Sequence, residues 1–200
     1  MQEEKIETEE IIKTHDITLF AGRIKLRPMS DKDFDILFKW NNDAEVLYFC
    51  EGDEIESRSM ESVQGLYGYV SKIAFCFIIE YEGLPIGECW LEEMNLDHII
   101  EKYPNLDLRR IDIMIGEKGF WNRGIGTKAI ERLVRFGFED EGADMIFYLP
   151  GDYNIRSIRA AEKAGFALVD KIRNEDCKKS EYDYIMAIRK EDYVIDIKIN

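Results

Sequence analysis

The sequence predicts a mixed α/β domain built around one central sheet. The predicted elements run β-α-α-β-β-β-α-β-α-β-β, an order that lays helices on a sheet. Apolar spacing alternates between a period of two and one near 3.6, with turn residues between the segments. The 200 residues are 46% hydrophobic and 12% aromatic, enough for one substantial core, and that length rarely divides into two domains.

Residues 1 to about 16 are charged and lack firm periodicity. They read as a mobile segment or an appended strand, so residues 1–21 form an N-terminal extension and 22–200 a single domain. Arg23 to Arg27 alternates as a short strand. Ser30 and Asp33 then have capping-box spacing ahead of Phe34, Leu37 and Phe38, giving a helix over about 31–41 that Asn41-Asn42 stops. A second helix starts near Ser59 and puts Met60, Val63, Leu66, Tyr67 and Val70 on one packing face. Ile73 to Tyr81 is β-branched and aromatic, Glu82-Gly83 is a turn, and Leu84 to Leu91 returns as a hairpin partner.

Residues 92–107 are acidic and weakly regular, a long loop that could rim a substrate site. Leu108 to Ile115 is a strand, 116–126 a glycine-rich connection, Thr127 to about Glu141 a helix, and Met145 to Leu149 a strand. A helix from Ile155 to Ala164 ends at Gly165, followed by a strand through Leu168 and a closing strand over Tyr182 to Ile188.

Composition narrows the function. No apolar run approaches the roughly 18 residues of a membrane span. The start MQEEKIETEE has neither the basic region nor the apolar stretch of a secretory signal, so the expectation is a soluble, cytoplasmic protein. Cys50, Cys76, Cys89 and Cys177 form no CxxC pair, and His15 and His98 are the only histidines, so no metal is expected and the cysteines read as buried or inert. The net charge of -14 disfavours nucleic acid and favours cationic partners, although acidity also serves solubility.

Two segments carry chemistry. Trp121-Asn122-Arg123-Gly124-Ile125-Gly126-Thr127 follows a strand and opens a helix. Glycines there admit close approach of a ligand to the main chain, and the helix start offers unpaired N–H groups to a pyrophosphate. A tight turn alone would need the same glycines. The segment is neither a P-loop, lacking Gly-Lys-Ser/Thr, nor a dinucleotide fingerprint, lacking the third glycine. On the preceding strand Ile111, Ile113 and Ile115 share one face, so Asp112 and Met114 point to the other. A carboxylate there needs a cavity or a partner, and Arg109 or Arg110 could form a structural ion pair with it.

Together with Asn154-Ile155-Arg156-Ser157-Ile158-Arg159-Ala160-Ala161-Glu162-Lys163-Ala164-Gly165-Phe166, the first segment resembles motifs A and B of the GNAT acetyltransferases. The resemblance is closer still to the aminoglycoside 6'-N-acetyltransferases, across about residues 22–190. Its features are Arg27-Pro28 to Trp40, the hairpin Glu80 to Gly87, and the strand end Ile111 to Glu117. It implies a mostly antiparallel sheet flanked by helices and splayed by a bulge at an acetyl-CoA site, with no metal. Ile113, Met114, Ile115, Trp121, Asn122, Arg123, Gly124, Ile125, Gly126, Thr127, Asn154 and Ser157 would line that coenzyme. Asp112 would be the catalytic base or would hold the ammonium. Phe49, Glu51, Asp53, Glu88, Trp90 and Glu92 would join Asp112 around a cationic acceptor, an aminoglycoside by this resemblance.

Three positions depart from the pattern. Ala161 stands where many family members carry a tyrosine acid, leaving Tyr148, Tyr153 or solvent to protonate the thiolate, or the thiolate to leave unprotonated. Trp121 replaces Gln or Arg, and Trp90 replaces Gln. The alternatives are a GNAT enzyme for another amine, such as a protein N-terminus or a siderophore precursor, and a non-catalytic acyl-CoA-binding module. A monomer or a homodimer fits equally.

Overall fold

The computed structural model describes residues 10–50, 56–175 and 177–193. Eight strands form one sheet: β1 (Leu19–Ala21), β2 (Ile24–Pro28), β3 (Ala74–Tyr81), β4 (Leu84–Glu93), β5 (Leu108–Met114), β6 (Met145–Tyr148), β7 (Ala167–Arg173) and β8 (Tyr182–Arg189). Their spatial order is β1-β2-β3-β4-β5-β6-β8-β7, antiparallel throughout except for the parallel pair β5–β6. Among the described residues six α-helices accompany them: α1 (Phe34–Trp40), α2 (Ala44–Leu47), α3 (Met60–Val70), α4 (Asp97–Lys102), α5 (Ile125–Glu139) and α6 (Ile155–Lys163). None is long and apolar enough to cross a membrane.

Each sheet face has its own core. On one, Ile111 packs with Ile130, Leu133 and Val134 of α5, and Ile113 and Ile115 join the same cluster. On the other, Met114 packs with Leu37 and Trp40 of α1 and Val63 and Tyr67 of α3. The alternation expected for Ile111 to Ile115 is therefore present, and it sends Asp112 to the α1–α3 side. Each large aliphatic side chain buried this way contributes about 1.5–3 kcal/mol.

The sheet opens between β5 and β6. Their pairing stops at Ile111 opposite Tyr148, whereas β5 stays paired with β4 as far as Met114 opposite Glu88. The last three residues of β5 thus have a neighbour on one side only. The expected bulge is not what opens the wedge, since the β4–β5 register is unbroken from Glu93↔Arg109 to Glu88↔Met114. The irregularity lies instead between β3 and β4, at Ile79/Glu80.

Residues ahead of β2 pack onto the sheet: β1 pairs with β2, Ile12 is buried, and the Ile11 and Ile12 amides donate to Asp31. Two further differences from the sequence reading have local causes. The expected loop 92–107 contains α4, a helix too short for periodicity to reveal, anchored by the buried Ile99. α2 was hidden in the same way, although Asp43 caps it by accepting from the Glu45 and Val46 amides.

Candidate active site

A cleft of about 750 Å³ runs along the wedge, from the end of β5 past the N-terminus of α5 to the exposed side of α6. Strand β5 contributes Asp112, Ile113 and Met114, followed by Ile115. The chain then turns at Gly116, where the Trp40 ring of α1 lies so close that a Cβ would collide with it. Trp40 Nε1 also donates to Glu117 at 2.9 Å, so α1 clamps the turn that leads to α5.

Trp121 to Thr127 forms the middle of the cleft. Asn122 and Gly124 adopt left-handed backbone, with φ of 60° and 75°. Gly124 precedes α5 without any side-chain cap, and a Cβ built on Gly124 or Gly126 meets nothing within 4 Å. The start of α5 thus has no side-chain cap and has open space beside two of its residues, which fits a diphosphate held by helix-start amides. Trp121 Nε1 donates to the Ile115 carbonyl at 2.7 Å, pinning the loop to the strand end. The Arg123 guanidinium lies 5.1 Å from the centre of the cleft-lining Phe120 ring, and Arg123 itself is not among the residues that line the cleft.

Helix α6 supplies a cationic wall that the sequence reading had passed over. Arg156, Arg159 and Lys163 stand at i, i+3 and i+7, and all three line the cleft. The spacing was legible, but helical charges usually face solvent. The Arg156 guanidinium lies 4.0 Å from the Phe49 ring and 4.2 Å from that of Trp121. Asn154 caps α6, its Oδ1 accepting from the Ser157 amide at 3.2 Å, while its Nδ2 donates to the Phe49 carbonyl at 3.1 Å. The Tyr148 and Ser157 hydroxyls are 2.7 Å apart. Ala161 is buried and does not line the cleft, whereas its neighbour Ala160 does.

The opposite end of the cleft is acidic. Glu88, Trp90 and Glu92 of β4 lie across from Met114, Asp112 and Arg110 of β5. Asp112, with its side chain 39% exposed, lines the cleft, yet its Oδ2 also accepts from Arg110 at 2.8 Å. The ion pair expected as an alternative to a cavity is thus present together with the cavity. Arg110 Nη2 also reaches Glu92 at 2.7 Å, and Trp90 Nε1 donates to Glu92 at 3.3 Å. Glu92 is buried by these contacts and does not line the cleft. Burial pushes its carboxyl above the ordinary range, with Arg110 opposing and Asp112 adding to the shift. Glu88 does line the cleft, as do Phe49 and Trp90; Glu51 and Asp53 lie outside the described residues. His98 is exposed on α4, and among the described residues no group of His, Cys, Asp or Glu is arranged to hold a metal ion.

Two relatives and two solved structures bear on this geometry. The chain is 27% identical over 169 residues to aminoglycoside N(6')-acetyltransferase type 1 of Klebsiella pneumoniae and of Serratia marcescens, covering 78% of this chain and 80% of each relative. The fold matches AAC(6')-Ib in complex with ribostamycin and coenzyme A, with a TM-score of 0.74 at 24% identity, over 86% of this chain and 96% of that one. It also matches spermidine N-acetyltransferase from Vibrio cholerae in complex with CoA and spermine, with a TM-score of 0.71 at 18% identity, over 87% and 99%. The acetyltransferase (GNAT) domain model matches residues 23–167, a span holding β2 through α6 and hence the wedge, the α5 start and the α6 wall, and the chain belongs to the GNAT acetyltransferase family.

Proposed function

We propose that the protein transfers the acetyl group of acetyl-CoA to a primary amine of a polycationic small molecule, the 6'-amine of an aminoglycoside. The observation that carries this reading is the polarity of the cleft. One end has the open α5 amides and the row Arg156, Arg159 and Lys163, suited to phosphates. The other has Asp112 and Glu88, suited to ammonium groups. The N(6')-acetyltransferases at 27% identity support the choice of acceptor.

In this reading Asn122, Gly124, Ile125, Gly126 and Thr127 hold the diphosphate through the main chain, and Asn154 and Ser157 flank the pantetheine arm beside Ile113, Met114 and Ile115. When bound, the coenzyme supplies a thioester carbonyl open to attack by a neutral amine. Asp112, oriented by Arg110, holds the arriving ammonium, and the proton it sheds passes to that carboxylate or to water. The Met114 amide would donate to the carbonyl oxygen as it gains charge. Of the two tyrosines considered as acid, Tyr153 already donates to the Tyr48 carbonyl at 3.2 Å. Tyr148 lines the cleft, and burial pushes its phenol up, so it stabilises a thiolate by hydrogen bonding more readily than by giving up its proton.

Purified protein with acetyl-CoA and kanamycin should release free thiol and give a singly acetylated drug whose modified nitrogen NMR locates at the 6' position. No turnover across a panel of such drugs would reject the acceptor.

A further inference from the structure

Among the described residues of the acidic end, Glu88 carries a buried carboxyl oxygen with no hydrogen-bond partner. It is 4% exposed and lines the cleft. Its Oε1 accepts from the Tyr67 hydroxyl at 2.9 Å, and the Tyr67 oxygen accepts from Asn41 Nδ2 at 2.8 Å. Asn41 is held in turn by donating to the Leu37 carbonyl at 2.9 Å. Its Oε2 is buried with no hydrogen-bond partner. Buried polar atoms are nearly always satisfied, so an exception in a cleft calls for a partner such as a water, an ion or a ligand group. Two helices have been spent on fixing Oε1, which leaves Oε2 for a donor entering through the cleft.

The groups that face Glu88 do not supply that donor. They are Tyr67 from α3, Asp112 from β5 and Cys76 from β3, while Cys89, next in sequence, packs on the opposite face of the sheet. Arg110, two cross-strand pairs beyond Asp112, is engaged by Asp112 and Glu92. Arg58 also lines the cleft, and its backbone amide donates to Asn42 Oδ1 at 2.8 Å.

We infer that Glu88 Oε2 receives a second ammonium group of the acceptor, roughly 7 Å from the amine held at Asp112, the separation of diagonal neighbours on paired strands. Seating it expels a proton. Burial pushes Glu88 up to about 8, so near neutral pH the free protein holds it chiefly as the neutral acid. An ammonium at Oε2 favours the carboxylate: the ammonium keeps its three protons, the carboxyl O–H breaks, and that proton passes to solvent. The inference deepens the proposed function and rests on it only in that the cleft admits amines. It requires an acceptor with two ammonium groups and makes Glu88 the residue that selects against monoamines.

The test is calorimetry of the CoA-loaded protein near neutral pH, in buffers of different ionisation enthalpy, with kanamycin, spermine and n-butylamine. Roughly one proton should be released per kanamycin or spermine bound and none with n-butylamine. Glu88→Gln should abolish the release and weaken polycation binding by about tenfold, leaving CoA affinity unchanged. Release that persists in Glu88→Gln, or polycation binding without release, overturns the inference. If spermine binds with release and kanamycin does not bind, the drug assignment falls and the role of Glu88 stands. If no polycation binds, both fall. Should Glu88→Gln not fold, Tyr67→Phe serves: it removes the hydrogen bond that favours the charged carboxyl, so the proton yield at a pH near 8 should rise. A yield that falls or stays constant counts against the inference.

Discussion

Asp112 carries opposing demands in one side chain. It touches the cleft, where an ammonium would meet it, and Arg110, which orients it and shares its charge with Glu92. Replacing it with Asn keeps the shape and removes the charge. Arg110 would retain Glu92, so the fold should hold. Asp112→Asn should therefore lower kcat/KM for the acceptor by about 10²-fold or more while leaving CoA binding intact. Steady-state kinetics with a CoA-binding control checks this, and unchanged kcat/KM would reduce Asp112 to a structural ion pair. The β5 alternation told which way Asp112 points, because a period of two is a backbone property. That Arg110 would reach it, and Glu92 would be sealed beneath Trp90, depended on the register of β4 against β5.

Among the elements, α6 shows most plainly how local spacing gains meaning from its surroundings. Its apolar side, Ile158 and Ala161, is buried, and its Arg156, Arg159 and Lys163 side lines the cleft opposite the start of α5. Arg156 is wedged between Phe49 and Trp121, so its loss would also disturb packing. Arg159→Ala with Lys163→Ala is the cleaner probe. It should raise KM for acetyl-CoA by about tenfold with little change in kcat or in acceptor KM, as expected for lost charge-assisted contacts to phosphate. An unchanged coenzyme KM would mean that the row faces solvent in the working enzyme. The long helices α3 and α5 were legible because each has a repeated apolar stripe and, for α3, the Ser59 cap. The short α2 and α4 were not, since one or two buried residues cannot establish a period.

For the whole molecule, a carboxyl buried at the base of the cleft makes stability depend on pH. Glu88 stands at about 8 in the folded protein against an ordinary 4.5, chiefly through burial, with the Tyr67 hydrogen bond opposing and Asp112 adding. Below pH 4.5 both states hold the proton and nothing is lost. As pH rises from about 4.5 to about 8 only the unfolded chain releases it, so stability falls by roughly 1.4 kcal/mol per pH unit and then levels off. Glu88→Gln should flatten this slope, so that its melting temperature gains on the parent protein as pH rises through that window. The half-buried His15, whose pKa is lowered, contributes the opposite slope to both proteins and cancels in the comparison. Parallel melting curves against pH would show that Glu88 is not held neutral.

By itself the sequence determined the alternation of strand and helix, the side of β5 on which Asp112 lies, and the glycine-opened start of α5. These follow from backbone geometry and from residues a few places apart. Only the tertiary structure decided what met across the sheet. The early end of β6, which opens the wedge, the assignment of Arg110 to both Asp112 and Glu92, and the unfilled oxygen of Glu88 arise from strand register and from helices some twenty to fifty residues distant. Local spacing carries no record of which partner a side chain will find, because that is settled by burial against the rest of the fold.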